Sequence, residues 1–158
     1  MKILIICASN ICRSPFVEFI LRREVNNDPS LKDKIQWIKS SAVINKMFRI
    51  HPRTKKALIK EGFNEDEIDM HRPSHILFDY KRFKDADIIV GMKKNQRLFL
   101  PRKIRGKFVT LSEAAGAGEV KISDPFFAKD EEGFDLIMRE LKNYSVKFLK
   151  NLRKQLIQ

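Results

Sequence analysis

At 158 residues and 43% hydrophobic content, the chain can bury one sizeable core and is too short for two ordinary domains. No apolar run reaches the length of a membrane span, the N-terminal run is broken by Asn10 and Arg13 too early for a signal peptide, and two cysteines five positions apart make no disulfide framework. These features speak against a membrane-embedded or disulfide-stapled secreted protein and for a reducing, cytoplasmic setting, while the formal charge of +12 keeps acidic partners, nucleic acid among them, in view.

Lys2 to Ile6 reads as a strand, and Ser14 to Asn26 as a helix with Pro15 in its first turn, where a missing N–H costs nothing. Asn26-Asn27-Asp28-Pro29 breaks the chain before a second strand near Ile35 to Ala42. A loop through Met47, Phe48, Arg49 and Ile50 reaches His51-Pro52, and Arg53 to Glu61 reads as a helix stopped by Gly62. Ala86 to Met92 is the third strand, with a helix following, and Lys107 to Leu111 the fourth. From about Glu131 to Ile157, residues such as Phe134, Met138, Leu141, Phe148 and Leu152 recur at the spacing of a long amphipathic helix. Strands alternating with helices predict one α/β domain over residues 1–158: a four-stranded parallel sheet, helices on both faces, and ligands beyond the carboxyl ends of the strands. The basic residues between Lys93 and Lys107 read as a solvated face; Arg49 and Arg53 lie where they could reach a ligand.

The chemistry concentrates in Cys7-Ala8-Ser9-Asn10-Ile11-Cys12-Arg13-Ser14-Pro15, at the first strand-to-helix turn. Backbone N–H groups of a tight loop opening a helix form an anion nest, and an arginine fork grips two oxygens of a tetrahedral oxyanion. The same field favours a thiolate, the nucleophilic form of a cysteine, so Cys7 is the candidate nucleophile and Arg13 the phosphate ligand. Ser14 stands where its hydroxyl could donate to that sulfur. A phenol leaving group needs a proton, and Asp124, in Ser123-Asp124-Pro125-Phe126-Phe127, is the candidate acid; Phe126 and Phe127 could shield it or flank an aryl substrate.

Taken with Ser40-Ser41-Ala42, His71-Arg72, Ala86 to Met92 and Asp124 to Phe127, the Cys7 to Pro15 loop resembles, in order and approximate spacing, the low-molecular-weight protein tyrosine phosphatases over nearly the whole chain. The resemblance implies a phosphocysteine intermediate on Cys7, phosphate binding by Arg13 and the loop from Ala8 to Ser14, Asp124 as acid and then base, and no cofactor or metal. It also implies that Asn10 holds the loop through Ser41 and His71, and that the loop after strand two, here with Met47 and Phe48, touches substrate. Asn is one of the few residues that tolerates a left-handed backbone, so the part given to Asn10 is physically reasonable. Ser9 departs from the usual glycine, which matters if its backbone needs a positive φ. Ile11 looks like the tyrosine-phosphatase form of the loop rather than that of the related arginine phosphatases. Cys12 has two readings, a partner that captures an oxidised Cys7 as a disulfide or a small apolar filler.

The expected substrate is therefore a phosphotyrosine-containing protein or a small aryl phosphate, with acidic phosphopeptides attracted by the positive charge and no membrane partner. Rival readings are a non-catalytic basic module binding phosphate or nucleic acid, and an arsenate-reductase-like enzyme, which would need further downstream cysteines. No aromatic-rich RNA motif or helix-turn-helix signature supports the first, and there is no cysteine beyond Cys12 for the second. A metal site from Cys7, Cys12, His71 and His75 lacks close cysteine pairing.

Overall fold

The computed structural model describes residues 1–157. Its sheet has the order β2-β1-β3-β4, with β1 Lys2–Cys7, β2 Trp37–Ala42, β3 Ile88–Gly91 and β4 Phe108–Thr110 all parallel. The four-stranded parallel α/β fold expected from the sequence is thus the one observed.

Side-chain alternation along β1 explains the layers. Ile3, Ile5 and Cys7 join a larger core with Phe16, Val17 and Ile20 of α1 (Arg13–Asn27) and Leu141 and Phe148 of a long helix, Glu131–Ile157. Leu4 and Ile6 face the other way, into a smaller core with Ile89, Phe83, Leu100 and Ile104. Both faces are covered, so β1 is apolar without interruption, as a central parallel strand should be. Among the described residues there are five further short α-helices, α2 Pro29–Lys32, α3 Pro52–Lys60, α4 Glu65–Met70, α5 Tyr80–Asp85 and α6 Leu111–Ala114, with Glu131–Ile157 as α7.

The segment after β3 differs from expectation. In place of one α-helix it forms two 3-10 stretches, Lys94–Phe99 and Arg102–Lys107. Pro101 divides them, because proline has no N–H to give and forces the preceding Leu100 into extended backbone, φ −86° and ψ 140°. The basic residues here are not all free in solvent. Lys107 donates to the carbonyls of Lys84 and Ala86, Arg105 to those of Leu98 and Leu100, and Lys94 pairs with Glu119. Among the described residues no helix is long and apolar enough to cross a membrane.

Parallel pairing sets Ser40 beside Ile5, Ser41 beside Ile6 and Ala42 beside Cys7. Ser40 therefore shares the α1 face of the sheet with Cys7, and Ser41 points to the opposite face.

Candidate active site

The loop between β1 and α1 turns on Asn10, at φ 54° the one left-handed non-glycine among the described residues. Its side chain is fully buried and fixed by three hydrogen bonds. Nδ2 donates to Ser14 Oγ at 2.8 Å and Ser40 Oγ at 2.7 Å, and Oδ1 accepts from the Ser74 N–H at 3.0 Å. This corrects the expected partners: Asn10 is held by Ser40 and Ser74, not by Ser41 and His71. Strand parity is the reason for the first change, since Ser41 lies across the sheet and its hydroxyl donates to Ser74 Oγ. His71 is turned instead toward Glu18. Ser9 carries no positive φ, so its side chain is unstrained, and its Oγ accepts from Asn45.

Asn10 therefore supplies both a conformation and a set of bonds, and two substitutions separate them. Asn10→Ala loses the three bonds and strains the left-handed backbone; Asn10→Gly loses only the bonds. Both should destabilise the chain, with Ala worse than Gly by about 1–2 kcal/mol in urea unfolding. Ala equal to or better than Gly would contradict this reading of the turn.

Cys7, at the end of β1, receives the Asn10 N–H on Sγ at 3.2 Å and lies 2.9 Å from Ser14 Oγ. Cys12 occupies the N-cap position of α1 and makes no side-chain capping bond, so the first-turn N–H groups have no side-chain acceptor there. Arg13 is 3% exposed; its Nη2 donates to Asp124 Oδ2 at 3.0 Å, and its Nη1 is buried without a partner. Asp124 also accepts the Phe126 N–H on Oδ1 at 3.1 Å, capping the 3-10 turn Pro125–Phe127 and fixing its own direction. Phe126 and Phe127 stand edge to face beside it, centroids 5.4 Å apart.

One cavity of about 510 Å³ gathers Cys7, Ala8, Ser9, Ile11, Cys12, Arg13, Met47, Asp124, Phe126 and Phe127. Asn10 and Ser14 are buried and do not line it. Phe48, expected to touch substrate, does not line it: the residue is 74% exposed and its ring lies under Lys46 Nζ, 5.3 Å from the centroid. Asn45, His51, Pro125 and Phe134 complete the wall and were not anticipated as such, and Arg53, expected within reach of a ligand, lines it as well. Arg53 ties the wall together. Its Nη2 donates to the Asp130 carbonyl, its Nε is 3.3 Å from Glu131, and its guanidinium lies 4.4 Å from the Phe134 ring centroid.

Cys12 and Cys7 are both free cysteines. Burial pushes the Cys12 thiol up to about 12, against the opposing effect of the Thr54 hydroxyl, which donates to its sulfur at 3.0 Å. A protonated thiol is a slow attacker on an oxidised neighbour.

Beneath the loop lies a polar network that the sequence reading missed. Asn10 leads to Ser40, whose hydroxyl donates to the buried Glu18, and His71 Nδ1 is 3.9 Å from the same carboxylate. Burial pushes Glu18 up toward its neutral form and, with Arg82, Arg22 and Arg72 nearby, pushes His71 down to about 4. The arginines outweigh a carboxylate that is itself held toward neutrality, so the folded protein keeps His71 uncharged. The consequence for stability has a definite sign. The unfolded chain takes up a proton on His71 below its usual 6.5 and the folded chain does not until about 4, so this contribution is complete above pH 6.5 and is lost as pH falls through 4. It amounts to about 3 kcal/mol, and His71→Gln should remove that part of the acid sensitivity in urea unfolding at pH 7 and pH 4.5. Identical pH dependence in the two chains would contradict it.

Among the described residues no group of three His, Cys, Asp or Glu side chains could hold a metal ion. His75 is engaged elsewhere, with its Nε2 at 3.2 Å from the Ile44 carbonyl.

Comparison with known proteins agrees with this fold. The family model described as low molecular weight phosphotyrosine protein phosphatase matches residues 2–158. A Schizosaccharomyces pombe protein named low molecular weight phosphotyrosine protein phosphatase is 28% identical over 158 residues, covering 96% of this chain and 97% of that protein. A Staphylococcus aureus low molecular weight protein-tyrosine-phosphatase, PtpA, is 25% identical over 142 residues and 87% of each chain. Among solved structures, the fold is similar to the YwlE arginine phosphatase of Geobacillus stearothermophilus, with a TM-score of 0.81 at 20% identity over 99% of this chain and 95% of that one. It is likewise similar to a low molecular weight protein tyrosine phosphatase of T. tengcongensis, with a TM-score of 0.78 at 23% identity over 95% and 98% of the two chains.

Proposed function

The chain belongs to the low molecular weight phosphotyrosine protein phosphatase family, whose members are cysteine-based phosphatases, and on that premise we propose that residues 1–158 act as one domain that hydrolyses phosphotyrosine in proteins through Cys7. The observation that carries the assignment of residues is the buried, unpartnered Nη1 of Arg13 in the wall that also holds Cys7 and Asp124. A buried guanidinium donor without an acceptor is costly, and a phosphate oxygen is the acceptor its planar fork fits.

In the first step Arg13 and the loop N–H groups take the phosphate oxygens. The dianion competes with Asp124 for Arg13 Nη2, which frees the Asp124 carboxyl to carry a proton. Cys7 Sγ attacks phosphorus as the bond to the phenol oxygen breaks, Asp124 gives its proton to that oxygen, and a phosphocysteine remains. In the second step Asp124 takes a proton from a water that attacks phosphorus, and the sulfur departs as thiolate, stabilised by Ser14 Oγ and the Asn10 N–H. No metal or cofactor enters either step. Because Cys7 must stay reduced, the cytoplasm is the proposed setting.

The apolar side chain of Ile11 and the paired rings of Phe126 and Phe127 favour an aryl group in the cavity, and exposed Arg49 favours acidic residues flanking it. Steady-state kinetics on matched phosphotyrosyl and phosphoarginyl peptides test this. We expect kcat/KM at least about tenfold higher for the phosphotyrosyl peptide, the scale of one well-filled apolar contact. An Arg49→Glu chain should lose any preference for acidic flanks. A preference for phosphoarginine would overturn the substrate assignment while leaving the chemistry of Cys7 intact.

A further inference from the structure

A second cavity, of about 460 Å³, runs along the outer edge strand β2, bordered by α1 on one face of the sheet and by Arg82 of α5 on the other, and no residue of the Cys7 to Arg13 loop contributes to it. Its wall carries four cationic side chains, Arg22, Lys39, Arg72 and Arg82, against a single carboxylate, Glu18. That carboxylate is already engaged: Oε2 accepts from Ser40, and Oε1 is 3.6 Å from Arg22. Arg82 is partly neutralised by Asp79 at 2.8 Å and donates to the Ser40 carbonyl, and Arg72 donates to the carbonyls of Asp69 and His71. The remaining positive field is unmatched. The cavity also contains a buried polar atom with nothing to bond to: the His71 imidazole, nine-tenths buried, lines it, and its Nε2 has no partner among the described residues.

We propose that this cavity is a second oxyanion site, taking a tetrahedral dianion such as inorganic phosphate. Arginine forks and a lysine ammonium are the groups that recognise such an ion, and it would give His71 Nε2, once protonated, the acceptor it lacks. Burial and then the field of the same arginines hold His71 neutral in the folded chain, and a bound dianion offsets that field. The assignment does not depend on the catalytic reading, because none of its ligands belongs to the phosphate loop.

The only tryptophan in the chain, Trp37, forms part of the wall, with Lys39 Nζ 5.3 Å from its ring centroid, so intrinsic fluorescence reads this cavity directly. The experiment is a titration of Trp37 fluorescence with inorganic phosphate, against chloride at equal ionic strength, in the native chain and in Arg13→Ala, Lys39→Glu and Arg72→Glu. A saturable change that survives in Arg13→Ala and is weakened at least about tenfold by each charge reversal is the expected result. Lys39 is exposed on an edge strand, so its reversal leaves the core untouched and keeps the test sound if Arg72→Glu perturbs its loop. The proposal is overturned by the absence of a change, by its loss in Arg13→Ala, by insensitivity to both reversals, or by an equal response to chloride.

Discussion

Cys7→Ser should lower kcat on an aryl phosphate by at least about 10⁴-fold, with chelator present throughout, while inorganic phosphate still binds the loop with an affinity within about threefold of the native chain. The separation between the two effects follows from the geometry. A serine at position 7 keeps the positions that receive the Asn10 N–H and face Ser14 Oγ, so the turn and its oxyanion donors are retained. What it loses is the ionisable, polarisable sulfur, because an alcohol at neutral pH is almost entirely protonated and departs poorly from phosphorus. Unfolding curves that overlay with the native chain would complete the picture. If Cys7→Ser kept a tenth or more of the native rate, another nucleophile, or direct attack by water, would have to be at work.

Asp124→Asn should lower kcat by about 10²–10³-fold on phosphotyrosine, and the loss should shrink as the leaving group becomes more acidic. Asparagine keeps an oxygen for the Phe126 N–H, so the 3-10 turn that aims the side chain survives. It cannot supply a proton to the phenol oxygen. A leaving group that departs comfortably as an anion does not need one, which is why the leaving-group series, and not a single rate, reads the role of Asp124. The ion pair with Arg13 is also removed, so affinity for phosphate should hold or rise, since the dianion no longer competes with a carboxylate for Nη2. Equal losses across the series would mean that Asp124 only positions Arg13.

The placement of the loop could be read in the sequence because its determinants are local. Cys7 to Pro15 contains the strand end, the left-handed Asn10, the arginine and the helix start within nine residues. The sheet was readable for a related reason: Ile3 to Ile6 is an uninterrupted apolar run, which is what a strand covered on both faces requires. The support of the loop was harder. Ser40 and Ser41 are neighbours of the same type, and only the register with β1, in which Ile5 meets Ser40, decides which of them faces Asn10. Glu18 received no role from the sequence. Its spacing from Cys7 offers no hint that it turns inward beneath β2, and burial of a carboxylate is the exception that tertiary context makes possible. Phe48, given a substrate contact only through the resemblance, does not line the cavity, and its ring lies under Lys46. For α4 the signal was present, with Asn64 as N-cap and Glu65, Asp66 and Glu67 in the first turn.

The most direct test of two-step displacement is a rapid acid quench of the native chain during turnover of an aryl phosphate, followed by mass analysis of its peptides. The account predicts an early burst of phenol ahead of phosphate release, and one phosphoryl group on the peptide containing Cys7 that is absent from Cys7→Ser. Phenol and phosphate released in step, with no phosphoryl group on Cys7 at any time, would contradict it.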